Sequence, residues 1–279
     1  MTERTLKDIL GPNGFAEKRG ETVVLLVHGL TGTPSEMRHF GRQLTRKGLS
    51  VACPQLAGHC DSVSALKAST WQDWYRTVDD TFEALSREYK HIHVAGLSMG
   101  ALLGLLLAAR KRERLAGVTL LSPTFFYDGW NIPKWRQRLL LPLVIYSPLR
   151  HLISWEEPPP YGIKDERVRA MVTAVLENRD SQTADKIGHF KTPASVIRES
   201  KGLIRAAKQC LRGVRRPTLV VHSTEDDMAS IKNAHFVTRR IGSDQVETFF
   251  VDDSYHVLTL DKRKDEIAAR VAAFCVATT

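Results

Sequence analysis

Apolar and polar positions change period in a regular way along this chain. Residues 22–28, Thr-Val-Val-Leu-Leu-Val-His, form an unbroken β-branched and apolar run. That is the pattern of a strand buried on both faces, as in a parallel sheet. Pro34 and Ser35 open an amphipathic stretch reaching about Lys47, with Met37, Phe40 and Leu44 on one face and Gly48 beyond its end, which predicts a helix. A strand follows over 49–54. Trp71, Trp74, Val78, Phe82 and Leu85 then recur at three to four residues and predict a helix over about 70–89. Residues 91–97 read as a strand that runs directly into a small-residue and leucine-rich helical segment, and 117–123 as the next strand. This alternation predicts right-handed βαβ units and a mostly parallel sheet, with a short edge strand near Phe15.

The rhythm breaks at Thr124. No strand is evident from there to about Arg216, a span too long for a connecting loop. It holds Phe125, Phe126, Tyr127, Trp130 and Trp135, the apolar run 139–146, and helical patches near 165–178 and 193–211. The sheet pattern resumes at 217–223, followed by a helix near 231–241, a strand at 247–251 and a last helix near 264–276. The expected organisation is an α/β core of residues 1–123 and 217–279, carrying residues 124–216 as a helical cap over the C-terminal edge of the sheet.

Composition narrows the function classes. The 279 residues are 43% hydrophobic and 25% charged, ordinary for a globular protein. The net charge of +9 invites a nucleic-acid reading. The basic residues are dispersed, however, and no zinc-finger spacing or aromatic-interleaved basic stripe is present, so specific nucleic-acid binding is not expected. The four cysteines, Cys53, Cys60, Cys210 and Cys275, form no CxxC, and no H-x-x-x-H occurs. Neither a metal nor a cofactor is expected. No apolar run approaches the ~18 residues that span a membrane, and the first residues lack a signal core. A cytoplasmic protein is the expectation, with transient lipid-surface contact through 139–146, although Pro142 interrupts that pattern.

One stretch carries candidate chemistry. Gly96-Leu97-Ser98-Met99-Gly100 lies where the strand 91–97 turns into a helix. A Ser on so sharp a turn presents its Oγ away from the sheet, and the new helix directs free N–H groups at the same place. A serine hydroxyl needs a base, and the base needs a carboxylate. In the order Ser, acid, His, the strand ending at Ser223 is followed by Glu225, Asp226 and Asp227, and the last strand by His256. Only His256 of the ten histidines joins a last strand, a turn and a final helix. Asp226 is the preferred acid, with Asp227 and Glu225 as alternatives. Two backbone donors are needed for the oxyanion. They are expected from Met99 and from the His28–Gly32 loop, where Leu30 is the favoured residue.

These residues resemble the α/β-hydrolase superfamily, and within it the bacterial carboxylesterase and monoacylglycerol lipase group, which is serine aminopeptidase S33-like. The resemblance rests on His28-Gly29-Leu30-Thr31-Gly32 with Met37-Arg38, Gly58-His59, Trp71 with Asp73-Trp74, the Gly96–Gly100 elbow, Asp226, and the stretch Ser254–Asp261. It covers about 20–110 and 215–275. It implies Ser98 as nucleophile, Asp226 as acid, His256 as base, and Leu30 and Met99 as oxyanion donors. It also implies a serine hydrolase of short- to medium-chain acyl esters or monoacylglycerols. Cys60 and Tyr255 stand where members of the group often carry glycine. The alternatives are a thioesterase or acyltransferase on CoA- or carrier-bound acyl groups, and a non-catalytic binding protein of the same fold. The oligomeric state is not read from the sequence.

Overall fold

In the computed structural model of the chain, residues 5–131, 139–177 and 191–279 are described. A short helix α1 (Leu6–Leu10) leads into strand β1 (Phe15–Glu17). The regular alternation then runs β2 (Thr22–Val27), α2 (Ser35–Arg46), β3 (Ser50–Cys53), α3 (Val63–Ala68), α4 (Trp71–Leu85), β4 (His91–Leu97), α5 (Met99–Lys111) and β5 (Gly117–Leu121). After an intervening segment, β8 (Thr218–Ser223), α9 (Lys232–Thr238), β9 (Val246–Val251) and α10 (Lys264–Ala277) complete the core. Seven strands form one sheet in the order β1-β3-β2-β4-β5-β8-β9. Only β1 pairs antiparallel, with Phe15 opposite Cys53; the rest are parallel.

The unbroken apolar run of β2 has a direct packing cause. Val23, Leu25 and Val27 point into one core and Val24 and Leu26 into the other, because successive strand side chains alternate in direction. The first core lies under α4 and α5, the second under α2 and α10. Each fully buried Leu or Val contributes on the order of 1.5–3 kcal/mol.

The intervening segment is described in part: α6 (Leu141–Ile145), β6 (Ser154–Glu156), α7 (Glu166–Glu177), β7 (Lys191–Pro193) and α8 (Ala194–Cys210). Two features depart from the sequence expectation. First, β6 and β7 pair antiparallel, with Trp155 opposite Thr192, where no strand was expected. Second, Pro142 does not break a helix but occupies the first turn of α6, where its missing N–H costs nothing. Trp135, together with Lys134, Arg136 and Arg138, lies outside the described residues.

Helix α8 packs as a core element. The stretch Met99–Ala108 of α5 is buried on every side, so it needs a cover on the side away from the sheet. Val196, Leu203, Ile204 and Ala207 of α8 join Leu103, Leu106 and Leu107 in the first core and help supply that cover. By contrast, Val144, Ile145 and Ala194 make a small cluster of their own, with Leu141, Ile153, Trp155 and Ile197 against it.

Candidate functional site

Strands β4, β5, β8 and β9 are parallel neighbours, so their carboxyl ends share one sheet edge. Ser98 sits there between β4 and α5 with φ 56° and ψ −113°, a conformation that costs a non-glycine residue on the order of 1–3 kcal/mol. The surroundings enforce it. A Cβ on Gly96 would lie 2.1 Å from the Gly100 carbonyl oxygen, and one on Gly100 would lie 2.2 Å from that of Val27. Backbone atoms on both sides leave no route for relaxation. The Ser98 N–H is held by the Leu121 carbonyl at 2.8 Å.

The three residues singled out from the sequence come together. Ser98 Oγ is 2.9 Å from His256 Nε2, and His256 Nδ1 is 2.8 Å from Asp226 Oδ2. With a neutral imidazole, the arrangement that satisfies both contacts has Nδ1–H donating to the carboxylate and Ser98 Oγ–H donating to Nε2. Asp226 Oδ1 accepts the N–H groups of Met228 (2.9 Å) and Ala229 (2.7 Å), so both oxygens of this buried carboxylate are engaged. The alternatives point elsewhere. Glu225 pairs with Lys164 Nζ at 2.6 Å and accepts the Asp253 N–H. Asp227 Oδ2 accepts the Gly162 N–H.

Burial works against charge on both members of the His–Asp pair. For His256, the Asp226 carboxylate outweighs it, with Asp227 and Glu157 adding to the effect, and its pKa rises above the ordinary imidazole value. For Asp226, the His256 ring, by charge and by hydrogen bond, and the Ala229 N–H outweigh burial, and its pKa falls below the ordinary carboxylate value. Glu36 and Glu157 interact electrostatically with the same imidazole, and burial pushes each up to about 7.

The loop after β2 lies against Ser98: a Cβ on Gly29 would be 3.7 Å from Ser98 Cβ. Leu30 follows Gly29 in this loop and packs on the first core, and Met99 follows Ser98 as the buried first residue of α5. His28 braces this loop. Its buried ring accepts the Leu56 N–H at Nε2 and contacts the Gly29 carbonyl through Nδ1. Burial lowers its pKa to about 3, which keeps the ring neutral.

Several supports of the site carry no signal in the sequence pattern. Thr124 Oγ1 lies 3.1 Å from Ser98 Oγ and donates to the Ser122 carbonyl. Ser122 Oγ donates to the His256 carbonyl, and Ser223 Oγ to that of Ser254. His222 Nε2 contacts the Ala229 carbonyl at 2.7 Å and lies 3.4 Å from Asp226 Oδ2. Buried Asp261 accepts four N–H groups, from Lys164, Asp165, Tyr255 and Lys262. It thereby ties the turn that carries His256 to residues 164–165. Only the Ser254–Asp261 stretch, quoted above for its resemblance, brought Asp261 to notice.

A hydroxyl–imidazole–carboxylate run at a helix N-terminus can activate an oxygen nucleophile. Against known families, residues 18–263 match the model of serine aminopeptidase, S33. The chain belongs to this family. The hydrolase is 25% identical over 272 residues to a carboxylesterase of Bacillus subtilis (strain 168), covering 95% of this chain and 97% of that one. It is 27% identical over 264 residues to a thermostable monoacylglycerol lipase of Bacillus sp. (strain H-257), covering 95% and 94%. Among solved structures, one described for the metagenome-derived lipolytic enzymes LipS and LipT superposes with a TM-score of 0.79 at 25% identity, covering 95% of this chain and 97% of that one. The monoacylglycerol lipase of Paleococcus ferrophilus shares the fold, with a TM-score of 0.78 at 15% identity and coverage of 95% and 98%. Among the described residues, no helix is long and apolar enough to cross a membrane.

Proposed function

We propose that this protein is a serine carboxylic-ester hydrolase that works through an acyl-enzyme on short- to medium-chain acyl esters or monoacylglycerols. The observation that carries the reading is the hydrogen-bonded run Ser98–His256–Asp226 at the N-terminus of α5. His256 Nε2 takes the Ser98 proton as Oγ attacks the acyl carbon. The charge on the carbonyl oxygen falls between the N–H groups of Leu30 and Met99. His256 then returns the proton to the leaving alcohol, and water enters by the same steps in reverse. Asp226 stabilises the imidazolium and fixes its tautomer. The names of the two Bacillus relatives support esters as the substrate class.

Residues 124–216 are the proposed cap; within them, Phe125 and the α8 residues Val196, Leu203, Ile204 and Ala207 also contribute side chains to the first core. Leu143, Tyr146, Leu149 and Leu152 of this cap are exposed, which supports transient contact with lipid surfaces. The four free cysteines support a reducing, cytoplasmic setting.

The test is a chain-length profile on p-nitrophenyl esters from acetate to palmitate, with monoacylglycerol and acyl-CoA alongside, together with fluorophosphonate labelling. A maximum at short or medium esters and a label on Ser98 are expected. A stronger rate on acyl-CoA than on the matching ester would move the substrate class to thioesters. A protein whose Ser98 takes no label would not be a serine hydrolase of this kind.

The same mechanism fixes the sign of a pH effect. Only neutral His256 accepts the proton, and the charges of Asp226, Asp227 and Glu157 favour its protonated form. The acid limb of kcat/KM on an uncharged ester is therefore expected to have its midpoint above the ordinary imidazole value of ~6.5. A pH–rate series with a midpoint below 6 would contradict the assignment of base and acid.

A further inference from the structure

The mechanism leaves the half-buried acid Glu36 unused. Glu36 is the second residue of α2, yet its side chain does not serve the N–H groups of its own helix in the manner of a cap. It reaches back seven residues, and Oε1 accepts the Gly29 N–H at 2.7 Å. The loop is built around this carboxyl. A Cβ on Gly32 would lie 2.3 Å from Oε1 and 2.7 Å from Oε2, and one on Gly29 would lie 3.5 Å from Oε1. The Gly32 N–H closes the turn onto the Gly29 carbonyl at 3.3 Å. Thus Gly29-Leu30-Thr31-Gly32 is folded over one carboxyl group, and Thr31, with φ 58°, takes the strain of the bend. A Cβ on Gly29 would also lie 3.7 Å from Ser98 Cβ.

We propose that Glu36 is a positioning residue for ester hydrolysis: by holding the Gly29 N–H, its carboxyl aims the neighbouring Leu30 N–H at the oxyanion, without touching substrate. The proposal rests on the assignment of Ser98 and the Leu30 donor made above. A small tilt of that peptide weakens a donor whose value depends on being preset. Glu36 also stands where ionisation matters. His256, Glu157, Cys53, Cys60 and Arg38 are the titratable groups that face it or share its surroundings. Burial brings its pKa to about 7. Protonated, the carbonyl oxygen of the acid still accepts the Gly29 N–H and places no charge beside the oxyanion. Ionised, it repels that charge.

Two substitutions of similar volume separate these roles. Glu36→Gln keeps an acceptor oxygen and removes the ionisation; Glu36→Met fills the space and accepts nothing. Losing the alignment of one oxyanion donor is expected to lower kcat of Glu36→Met by about 10²-fold, with KM within about 3-fold by the usual split between transition-state and ground-state binding. The rate of fluorophosphonate labelling should fall in parallel. Glu36→Gln should recover kcat to within about 5-fold of wild type, and its kcat relative to wild type should rise from pH 6 to pH 9, by the repulsion argument. Equal kcat for the Gln and Met variants, or a loss confined to KM or to thermal stability, would overturn the positioning role. The same series includes Ser98→Ala. If Ser98→Ala is inactive and the Gln and Met variants are alike, only the role of Glu36 fails. An active Ser98→Ala removes the underlying site, and this proposal with it.

Discussion

Replacing Ser98 by alanine is expected to lower kcat on p-nitrophenyl esters by about 10⁶-fold, the scale at which losing a triad nucleophile removes the acyl-enzyme route. In the proposed mechanism the Oγ is both the attacking atom and the donor to His256 Nε2, so the substitution removes attack and proton transfer together. The nearest other hydroxyl, Thr124 Oγ1, lies 3.1 Å from Ser98 Oγ and donates to the Ser122 carbonyl. It follows β5 and is not at the N-terminus of α5, so it cannot take over. The residual rate comes from the backbone donors and from substrate binding alone. The fold should survive. Alanine accepts the same strained backbone at φ 56° about as well as serine, and the loss is one side-chain hydrogen bond, worth about 1 kcal/mol. The check is a steady-state assay paired with a thermal melt on the same preparation. A variant within 100-fold of wild-type kcat would show that Ser98 is not the nucleophile; an unfolded one would be replaced by Ser98→Cys, followed by thiol labelling at the site.

The parts legible in the sequence are those with a local physical signature. The β2 run reads as a two-sided strand because both of its faces are buried, and the glycines around Ser98 because backbone lies within 2.2 Å of any added Cβ. Ser98, the acidic run 225–227 and His256 are legible from their positions after parallel strands, since a shared strand direction places the following loops at one edge. What escaped depends on distance in space. The pairing of β6 with β7 involves three residues in each strand, too few for a periodic pattern. The amphipathic pattern of α8 is the same whether it covers α5 or a cap, so sequence could not say which it does. The choice among Glu225, Asp226 and Asp227 turned on which of three neighbouring side chains meets His256. Ser122, Ser223 and Asp261 support the His256 turn through contacts made across the chain, up to 134 residues apart. A lone polar residue at a strand end announces nothing of that kind.

These supports also show where the rigidity of the site comes from. The turn bearing His256 is tied at Ser254 and His256 by serine hydroxyls from β8 and from the end of β5, and at Tyr255 by Asp261. The turn bearing Asp226 is closed by its own carboxylate on Met228 and Ala229 and by the His222 ring on Ala229. Side chains held this way keep their geometry without substrate, which is the condition for electrostatic stabilisation without reorganisation. The small cluster around Val144, Ile145 and Ala194 stands apart from the two sheet cores that hold these turns.

Asp226→Asn should leave the protein folded and lower kcat by about 10⁴-fold at neutral pH, and the cause is a tautomer rather than a missing charge alone. In the wild type, Oδ1 accepts two N–H groups and Oδ2 accepts the His256 Nδ1 proton. Asparagine has one oxygen for these two places. The Met228 and Ala229 donors cannot turn away, because they belong to the turn itself, so the amide oxygen goes to them and the NH2 faces His256. That group can only donate. It therefore stabilises the imidazole with its lone pair on Nδ1 and its proton on Nε2, a form that presents a donor to Ser98 and cannot take the serine proton. His222 does not compensate, since burial keeps its ring neutral and its Nε2 is engaged by the Ala229 carbonyl. Removing the carboxylate also removes the main influence raising the pKa of His256, so the acid limb of the pH profile should move to lower pH. Two readouts check the argument: kcat/KM against pH, and the imidazole nitrogen resonances by NMR, which should report the proton on Nε2 in the variant and on Nδ1 in the wild type. A proton still on Nδ1 with kcat reduced less than 10-fold would mean that Asp226 does not set the tautomer, and the assignment of the acid would pass to Asp227.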